Sequence, residues 1–316
     1  METVLEINDL HVSYFTQRGE VKAVNGVSLN VGKMERFGLV GESGCGKSTL
    51  AHSILRLIKP PGKIIKGSIC VDGVDILRLS KEDLRSFRWK KVSIIFQGAM
   101  NSLNPTHRIG SQLVEAILAH ERMRKEEALN KAVDLLKLCG IDPLRINSYP
   151  FQLSGGMKQR VVIAMAIALN PSLIIADEPT TALDVVTERK ILALLKDLQK
   201  KFKFSIFMIS HNIDMLVNFC DRIAVMYAGK IVEVAPTKCI ISHPLHPYLR
   251  GLLRSRDALS RGEFWFISGS PPDLINLPSG CAFHPRCQMI AEKCRRESPT
   301  LKEVEHNHFV SCHMVG

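Results

Sequence analysis

The sequence predicts an α/β protein whose core is a parallel β-sheet covered by helices. Apolar strand-like runs alternate with helical patterns between residues 172 and 235, and such alternation is typical of parallel sheets. The stretch GESGCGKST, residues 41–49, follows another strand-like run and opens a helical pattern. After about residue 256 the alternation ends, and proline, glycine and cysteine become frequent. These observations predict an α/β core followed by a small cysteine-rich extension.

The N-terminal part of the chain is predicted to contain paired strands before the first helix. LEINDLHVSYF and VKAVNGVSLNV flank a turn at residues 17–19 and predict an antiparallel β subdomain. FGLV, residues 37–40, is a short buried strand. KSTLAHSILRLI, residues 47–58, has helical spacing and is expected to end at Pro60-Pro61-Gly62. KVSIIFQ, residues 91–97, predicts another buried strand.

A helical insertion follows, and then the α/β pattern resumes. IGSQLVEAILAH and EEALNKAVDLLKLCG predict two helices, the second of which ends at Gly140. The later segments are, in order, strand SLIIAD, helix VVTERKILALLKDLQKKF, strand FSIFMIS, helix NIDMLVNFC and hairpin DRIAVMYAGKIVEVA. We therefore predict four regions: a first part of the α/β core (1–100), a helical subdomain (101–160), a second part of the core (161–255) and an extension (256–316).

Composition narrows the class of protein. The 316 residues are 46% hydrophobic and 23% charged, as in soluble globular proteins. The N-terminus has no long apolar run, so we expect no signal peptide. The longest apolar stretch, VVIAMAIAL at residues 161–169, is about half the length of a membrane span. The net charge of +11 would attract anions, but the basic residues are spread along the chain. We expect a cytosolic protein.

Residues 41–49 fit the phosphate-loop pattern G-x-x-x-x-G-K-[ST]. Its glycines let backbone N–H groups curl around phosphate oxygens, and the following helix N-terminus directs partial positive charge at them. Lys47 is expected to reach the β- and γ-phosphates, and the Ser48 hydroxyl to bind Mg²⁺. The loop residues expected to bind ATP are Gly41, Ser43, Gly44, Cys45, Gly46, Lys47, Ser48 and Thr49.

A second part of the site is predicted at LIIADE, residues 173–178. Four apolar residues form a buried strand, and Asp177 stands at its end, where ligands bind in open parallel sheets. Asp177 is expected to hold Mg²⁺ through water. Glu178 is placed to orient or deprotonate an attacking water.

Further motifs occur in a characteristic order around these two. QLSGGMKQR spans residues 152–160, Tyr14 precedes the phosphate loop, and Gln97 ends the IIFQ strand. TALD (181–184) and His211, in MISHN, follow the second motif. Together, these motifs resemble the signature of ATP-binding cassette (ABC) transporter ATPases. The resemblance implies the P-loop fold of these enzymes, with a helical subdomain inserted in the core.

The resemblance also implies roles around the nucleotide. Tyr14 stacks on adenine, and Gln97 contacts both ATP and Mg²⁺. His211 hydrogen-bonds the γ-phosphate and acts with Lys47 and Glu178 in catalysis. The cofactor set implied is therefore ATP with Mg²⁺.

The helix that begins after QLS is predicted to be a second anion-binding N-terminus. The residues that open it, Ser154, Gly155 and Gly156, include no lysine, so this N-terminus is too weak to hold ATP alone. In the family it closes over the ATP held by a partner chain, which sandwiches the nucleotide between two subunits. The residues implied are Ser154, Gly155, Gly156 and Gln159 for the partner's ATP, and Asp184 for the contact between subunits.

Later segments narrow the resemblance to one branch of the family. HPLHPYLRGLLRS (243–255) and GSPPDLINLPSGCAFHPRC (269–287) resemble the C-terminal extension of oligopeptide and dipeptide importers. FQGAMNSLNP (96–105) is close to that branch's glutamine loop, although Gly98-Ala99 replaces the commoner acid and proline. The resemblance implies a motor that hydrolyses ATP to drive peptide uptake, with oligosaccharides or nickel as alternative substrates.

The resemblance further implies partners. They are a second ATPase, usually a different chain in this branch, two transmembrane permease subunits and an extracellular substrate-binding protein. The chain would act at the cytoplasmic face of the membrane. Residues 97–105, including Met100 and Leu103, and the helices before residue 140 are expected to contact the permeases.

A soluble ABC ATPase that acts on nucleic acid in repair or translation is the alternative. Repair members carry a long coiled-coil insertion, whereas the segment between Gln97 and Leu153 suits an ordinary helical subdomain. Translation members carry two cassettes in one chain, and this sequence contains one. We therefore expect no nucleic-acid partner.

Four cysteines of the extension are spaced C-x5-C-x6-C-x17-C: Cys281, Cys287, Cys294 and Cys312. Disulfides are disfavoured in the cytosol, no apolar core is evident in the tail, and a metal would supply folding energy. Zinc ligands usually pair as C-x2–4-C, whereas wider all-cysteine spacing suits a [4Fe–4S] cluster, which members of the importer branch carry. We predict this cluster, with zinc or no metal as alternatives. The neighbouring histidines, His284, His306, His308 and His313, are expected to lie at the surface or beside the ligands.

Overall fold

The computed structural model describes residues 2–98 and 102–315. These residues form two compact units, each assembled from segments that are not consecutive in sequence. The first unit consists of the residues up to Leu5, Val31–Glu35 and Cys70–Met208. The second unit consists of Glu6–Asn30, Arg36–Ile69 and the residues from Ile209 onward. The predicted division into four regions stays a prediction; its boundary at 100–101, like Met100, lies outside the described residues.

β-Strands occur throughout the described residues, from Thr3 to Val310. They are β1 (Thr3–Thr16), β2 (Gly19–Gly32), β3 (Arg36–Val40), β4 (Gly62–Val71), β5 (Val74–Asp75), β6 (Val92–Ile95), β7 (Leu173–Asp177), β8 (Ser205–Ser210), β9 (Arg222–Tyr227), β10 (Lys230–Pro236), β11 (Lys302–Glu305) and β12 (His308–Val310). The last two form a hairpin in a region where the sequence pattern predicted no regular structure.

Helices connect these strands. They are α1 (Lys47–Ile54), α2 (Lys81–Phe87), α3 (Ile109–Leu118), α4 (Lys125–Leu138), α5 (Gly155–Ile167), α6 (Val185–Phe202), α7 (Ile213–Phe219), α8 (Thr237–Ser242), α9 (Pro247–Ser260) and α10 (Glu292–Arg296). Short 3₁₀ helices occupy Pro143–Asn147, Pro150–Gln152 and His284–Arg286. None of these described helices combines the length and apolarity needed to cross a bilayer.

The first unit contains the parallel strands β6 and β7, which pair from Val92↔Leu173 to Ile95↔Ala176. Strand β7 is buried along its whole length, as expected of a strand covered on both faces. Because parallel strands end at the same edge, the residues after β6 and after β7 lie near each other. Helices α3, α4 and α5 pack against one another in the same unit.

The second unit contains the parallel pair β3 and β9. Strand β9 continues into the predicted hairpin with β10, and β12 extends the sheet by pairing antiparallel with β10. In a separate sheet β1 lies between β2 and β4. The N-terminal strands, the phosphate-loop segment and the C-terminal extension therefore belong to the same compact unit.

Helix α1 is shorter than the sequence predicted. Apolar spacing indicated a helix to residue 58, but α1 ends at Ile54. Arg56 has a left-handed φ of +49°, and the N–H of Leu57 donates to the carbonyl of His52. The chain leaves the helix through this turn, before the prolines that were expected to end it.

The C-terminal extension buries several of its residues against β9, β10 and α9, which the sequence pattern did not predict. Phe283, Cys294 and Val310 are at most 5% exposed. The buried Glu233 carboxylate on β10 accepts hydrogen bonds from the His246 N–H (2.6 Å) and from His308 Nε2 (2.8 Å). His308 is fully buried, so of its two predicted locations the surface is excluded, and a place beside the cysteines stays a prediction. These contacts tie β12 and the start of α9 to β10.

Candidate nucleotide-binding site

The loop between β3 and α1 has the backbone shape that phosphate binding requires. Gly44 and Gly46 have φ angles of +80° and +110°, a region that favours glycine. A Cβ atom on Gly41 would lie 2.3 Å from the carbonyl oxygen of Met226, and one on Gly46 would lie 2.0 Å from that of Ala23. Close backbone approach therefore excludes side chains at both positions.

Lys47, the first residue of α1, is held against this loop and is 7% exposed. Its Nζ donates to the carbonyl oxygens of Gly41 (2.7 Å) and Glu42 (2.9 Å). No side chain caps the helix N-terminus at Gly46, so the first N–H groups of α1 are left to bind an anion. A buried ammonium beside a helix N-terminus makes the loop suited to phosphate groups.

Tyr14 lies on β1 beside the first turn of α1. Its hydroxyl is 3.4 Å from Thr49 Oγ1. A Cβ atom on Gly62 would come within 2.6 Å of the Tyr14 ring, so glycine at that position makes room for the ring. The structure thus places an aromatic ring next to the phosphate loop, as base stacking on a bound nucleotide requires.

In the first unit, the residues after β6 and β7 meet at the sheet edge. Glu178 has a φ of +48°, which is uncommon for a residue other than glycine. Its Oε2 accepts hydrogen bonds from Gln97 Nε2 (3.0 Å) and Thr181 Oγ1 (2.9 Å). Asp177, immediately before it, is 2% exposed. Strained backbone and a buried carboxylate are common features of active sites.

The donor types of the predicted Mg²⁺ ligands fit that ion. Asp177 is a buried carboxylate at the end of β7. Gln97 offers an amide oxygen, since its nitrogen donates to Glu178, and Ser48 offers a hydroxyl in the first turn of α1. Mg²⁺ prefers such hard oxygen ligands and keeps several of its waters.

The start of α5, within QLSGGMKQR, and the TALD stretch (181–184) line one cavity of about 410 Å³ in the first unit. Ser154 caps α5 by accepting a hydrogen bond from the N–H of Met157, and Asp184 caps α6 by accepting two from Thr187. Those hydrogen bonds lower the pKa of Asp184. The lining residues include Ser154, Gly155, Gly156, Ala182, Leu183 and Asp184. Two motifs separated in sequence therefore form one surface.

Two predicted site residues differ in their exposure. His211 is exposed in the short connection between β8 and α7, where its imidazole can meet a ligand. Gln159 is 3% exposed on α5. Its side chain is therefore not on the surface presented by the helix start, and this burial disfavours its predicted contact with a partner's ATP.

The four clustered cysteines lie in turns and short helices of the extension. The N–H of Met289 donates to Cys287 Sγ, and the N–H of Met314 donates to Cys312 Sγ, each at 3.4 Å. Burial raises the pKa of Cys281, and the other three thiols raise it further.

The predicted metal centre gains no support from this geometry. Among residues 2–98 and 102–315, no three side chains of histidine, cysteine, aspartate or glutamate form a group that could hold a metal ion. One premise of that prediction, that the tail lacks apolar burial, is wrong: Phe283 and Val310 are buried, and His308 pairs with the buried Glu233 of β10.

Glu42, inside the phosphate loop, received no role in the sequence analysis. Its carboxylate accepts hydrogen bonds from both terminal nitrogens of Arg286, at 2.8 Å and 3.0 Å. No signal in the sequence indicated a contact between Arg286, in the CAFHPRC stretch, and Glu42, which lies 244 positions earlier.

Comparisons with known proteins agree with these motifs. A family model described as ABC transporter matches residues 24–181, and one described as the C-terminal region of oligopeptide/dipeptide transporters matches residues 232–294. The oligopeptide transport ATP-binding protein OppD of Bacillus subtilis (strain 168) is 46% identical, over 97% of this chain and 87% of that protein. The dipeptide transport ATP-binding protein DppD of the same strain is 45% identical, over 99% and 95%.

Solved structures show the same fold. The dimeric post-hydrolysis state of the ATP-binding cassette MJ0796, bound to ADP and Pi, superposes with a TM-score of 0.66 at 30% identity, covering 74% of this chain and 98% of that one. CbiO1 of Clostridium perfringens, part of the ABC transporter complex cbiONQ, superposes with the same TM-score at 26% identity, covering 83% of this chain and all of that one. With the phosphate loop, the Asp177–Glu178 strand end and the signature cavity in place, the chain belongs to the ABC transporter family as a P-loop ATPase of the oligopeptide/dipeptide importer type.

Proposed function

We propose that this chain is the ATP-hydrolysing motor subunit of a peptide importer and works at the cytoplasmic face of the membrane. The observation that carries the proposal is similarity over nearly the whole chain to proteins named for oligopeptide and dipeptide transport. That similarity includes the C-terminal region, where the importer-type model matches. The proposal is tested by measuring peptide uptake by a reconstituted transporter that contains this chain. A pull-down with the tagged chain that recovers ribosomes instead of permeases would contradict it.

We propose a division of labour within the nucleotide site. Lys47 and the N–H groups at the start of α1 neutralise and orient the phosphates. Ser48, Gln97 and Asp177 hold Mg²⁺, which when bound offsets the negative charge that develops on the transferred phosphoryl group. Tyr14 stacks on the base.

Glu178 acts in this scheme as the group that orients and deprotonates the attacking water. Its carboxylate is held by Gln97 and Thr181, so its direction is set before the nucleotide arrives. His211 contacts the γ-phosphate and thereby distinguishes ATP from ADP.

The signature cavity is proposed to receive the ATP of a second ATPase subunit. It combines the capped start of α5 with the Asp184 loop. The helix start supplies backbone N–H groups, and Arg160 and Lys190 also line the cavity, but no buried lysine equivalent to Lys47 is present there. It is therefore proposed to bind ATP only together with a partner's phosphate loop. We propose that the partner is a second, different ATPase chain. Closure of the pair is proposed to drive two permease subunits, which receive their substrate from an extracellular binding protein.

The permease contact is proposed to use a groove of about 620 Å³ in the helical subdomain. Its lining is mainly apolar and includes Val114, Leu118, Leu129 and Ile146 beside Glu115 and Lys125. A groove of this kind accepts a short amphipathic helix of a partner. Leu103, predicted to contact the permeases, is 3% exposed, and this burial disfavours a direct contact.

Leu118→Glu and Leu129→Glu are expected to uncouple ATP hydrolysis from peptide transport, because a carboxylate in the groove opposes burial of an apolar partner helix. In the assembled transporter, peptide stimulation of ATPase activity should fall at least roughly tenfold, the effect of losing about 1.4 kcal/mol of contact. ATP affinity of the isolated chain should stay unchanged. Leu144→Glu is the matched control, since Leu144 is 83% exposed and does not line the groove. Full peptide stimulation in both groove variants would contradict the placement.

We further propose that the four cysteines bind a [4Fe–4S] cluster, with a single Zn²⁺ as the alternative. The support is their spacing and the resemblance of the extension to that of the importer branch. A cluster distributes its four thiolates over several irons, so its ligands stand further apart than those of one ion. The absence of a single-ion ligand group in the described residues is compatible with that wider arrangement.

Anaerobic purification is expected to give a brown protein with about four irons per chain, the content of one such cluster. Cys312→Ser should lose the colour while retaining ATP binding, because Cys312 is neither part of the phosphate loop nor adjacent in sequence to Arg286, which contacts that loop. A colourless protein containing one zinc would establish the alternative, and metal-free protein that binds ATP normally would refute both.

A further inference from the structure

Glu42 is held at three points, and two of them come from the C-terminal part of the chain. Its N–H donates to the Tyr248 hydroxyl (3.0 Å), and its carbonyl accepts from Lys47 Nζ (2.9 Å). Its carboxylate accepts two hydrogen bonds from Arg286. Tyr248 lies on α9, and Arg286 ends the 3₁₀ helix His284–Arg286. The first turn of the phosphate loop is therefore fixed from outside the loop.

Arg286 is buried and is held in this position by further hydrogen bonds. Its side chain is 5% exposed, and the guanidinium also donates to the carbonyls of Ser268 (3.1 Å) and Ile267 (3.4 Å) and lies 3.4 Å from the Tyr227 hydroxyl. A planar guanidinium that meets a carboxylate through two parallel N–H groups fixes orientation as well as distance. Removal of either partner would leave a charge without its counterpart in a largely buried place.

Packed aromatic rings support the same arrangement. Tyr227 and Tyr248 have ring centroids 4.7 Å apart, and Phe283 lies 5.2 Å and 5.5 Å from them. All three are at most 3% exposed. Phe283 directly precedes the turn that carries Arg286, so the cluster determines where that turn sits relative to β9 and α9.

The contacts have a direct consequence for nucleotide binding. A phosphate loop binds through backbone N–H groups, so its affinity depends on a preformed backbone shape. Lys47 and Arg286 hold the same residue, one through its carbonyl and the other through its carboxylate. We propose that Arg286 is a positioning residue for ATP binding and hydrolysis, which acts through Glu42 to keep the phosphate loop in its binding conformation.

The test is a double-mutant cycle on the full-length chain with Arg286→Gln, Glu42→Gln and the double variant. Dissociation constants for MgATP and MgADP are measured by fluorescence, and KM and kcat by ATPase assay. Arg286→Gln is expected to weaken both nucleotides roughly tenfold, or about 1.4 kcal/mol, and to raise KM more than it lowers kcat. The double variant should bind no more weakly than Arg286→Gln alone, because residues that act through one contact are not additive.

Two comparisons separate positioning from general stabilisation. Arg286→Lys, which keeps the charge but not the paired donors, should recover part of the affinity. Arg296→Gln removes another arginine–carboxylate pair of the extension, Arg296 with Glu292, but that pair is exposed. The nucleotide affinity of this variant should therefore match the wild type. A lowered melting temperature in Arg286→Gln with ATP affinity within twofold of wild type would overturn the proposal. Affinity losses that multiply in the double variant would overturn it as well, because Arg286 would then not act through Glu42.

Discussion

Lys47→Ala is expected to abolish measurable ATP hydrolysis and to remove most of the affinity for ATP. Lys47 is buried, and its ammonium is already positioned by the carbonyls of Gly41 and Glu42. Little reorganisation is therefore needed for it to meet a phosphate oxygen. Loss of one preorganised charge-stabilising donor lowers kcat by about 10²–10³, and loss of a charge-assisted hydrogen bond costs about 1.5–3 kcal/mol of binding. Both effects should appear together in the alanine variant.

ATPase assays on the assembled transporter and nucleotide titration of the isolated chain measure these effects. Lys33→Ala is a suitable control, since Lys33 is 54% exposed and pairs with Glu2 at the surface. That variant should keep wild-type turnover. Near-normal turnover by Lys47→Ala would show that another group supplies the charge at the γ-phosphate.

Glu178→Gln is expected to bind ATP with nearly wild-type affinity but to hydrolyse it about 10²–10⁴ times more slowly, the usual contribution of a general base. Glutamine has the same shape, and its amide oxygen can still accept one of the hydrogen bonds that Gln97 and Thr181 donate to Glu178. It cannot remove a proton from water. ATP should therefore accumulate in the closed pair of ATPase subunits.

Association of this variant with its partner ATPase, measured with and without MgATP, provides the decisive comparison. The variant should associate more strongly in ATP than the wild type, which hydrolyses the nucleotide and separates. Glu188→Gln, on helix α6 and outside the proposed site, is the matched control for loss of a carboxylate. Absence of ATP-dependent association in Glu178→Gln, or turnover close to wild type, would show that Glu178 is not the base.

Much of the fold and several site residues were accessible from the sequence because their signals are local. A phosphate loop needs glycines, a lysine and a helix start within a few consecutive residues, and these were correctly placed between β3 and α1. Strands β6 to β9 were predicted within about two residues by their apolar runs. Residues 62–90, which contain β4, β5 and α2, gave no clear periodicity and were not assigned.

Other features depend on residues that are distant in sequence. Gln97 and Glu178 are 81 positions apart, and their contact follows from the parallel register of β6 and β7. The burial of Gln159 depends on how α5 packs within the first unit, which its position beside a surface motif does not reveal.

The sequence by itself determined that this protein is an ABC-type ATPase, because each motif is a short segment whose spacing already specifies a backbone shape and a set of donors. Tertiary structure alone decided how the extension is stabilised and what it touches. Its buried residues, the Glu233–His308 pair and the Arg286–Glu42 contact join segments 75 to 244 positions apart. Such contacts are set by strand pairing and by the packing of whole elements, and neither spacing nor composition within one segment encodes them.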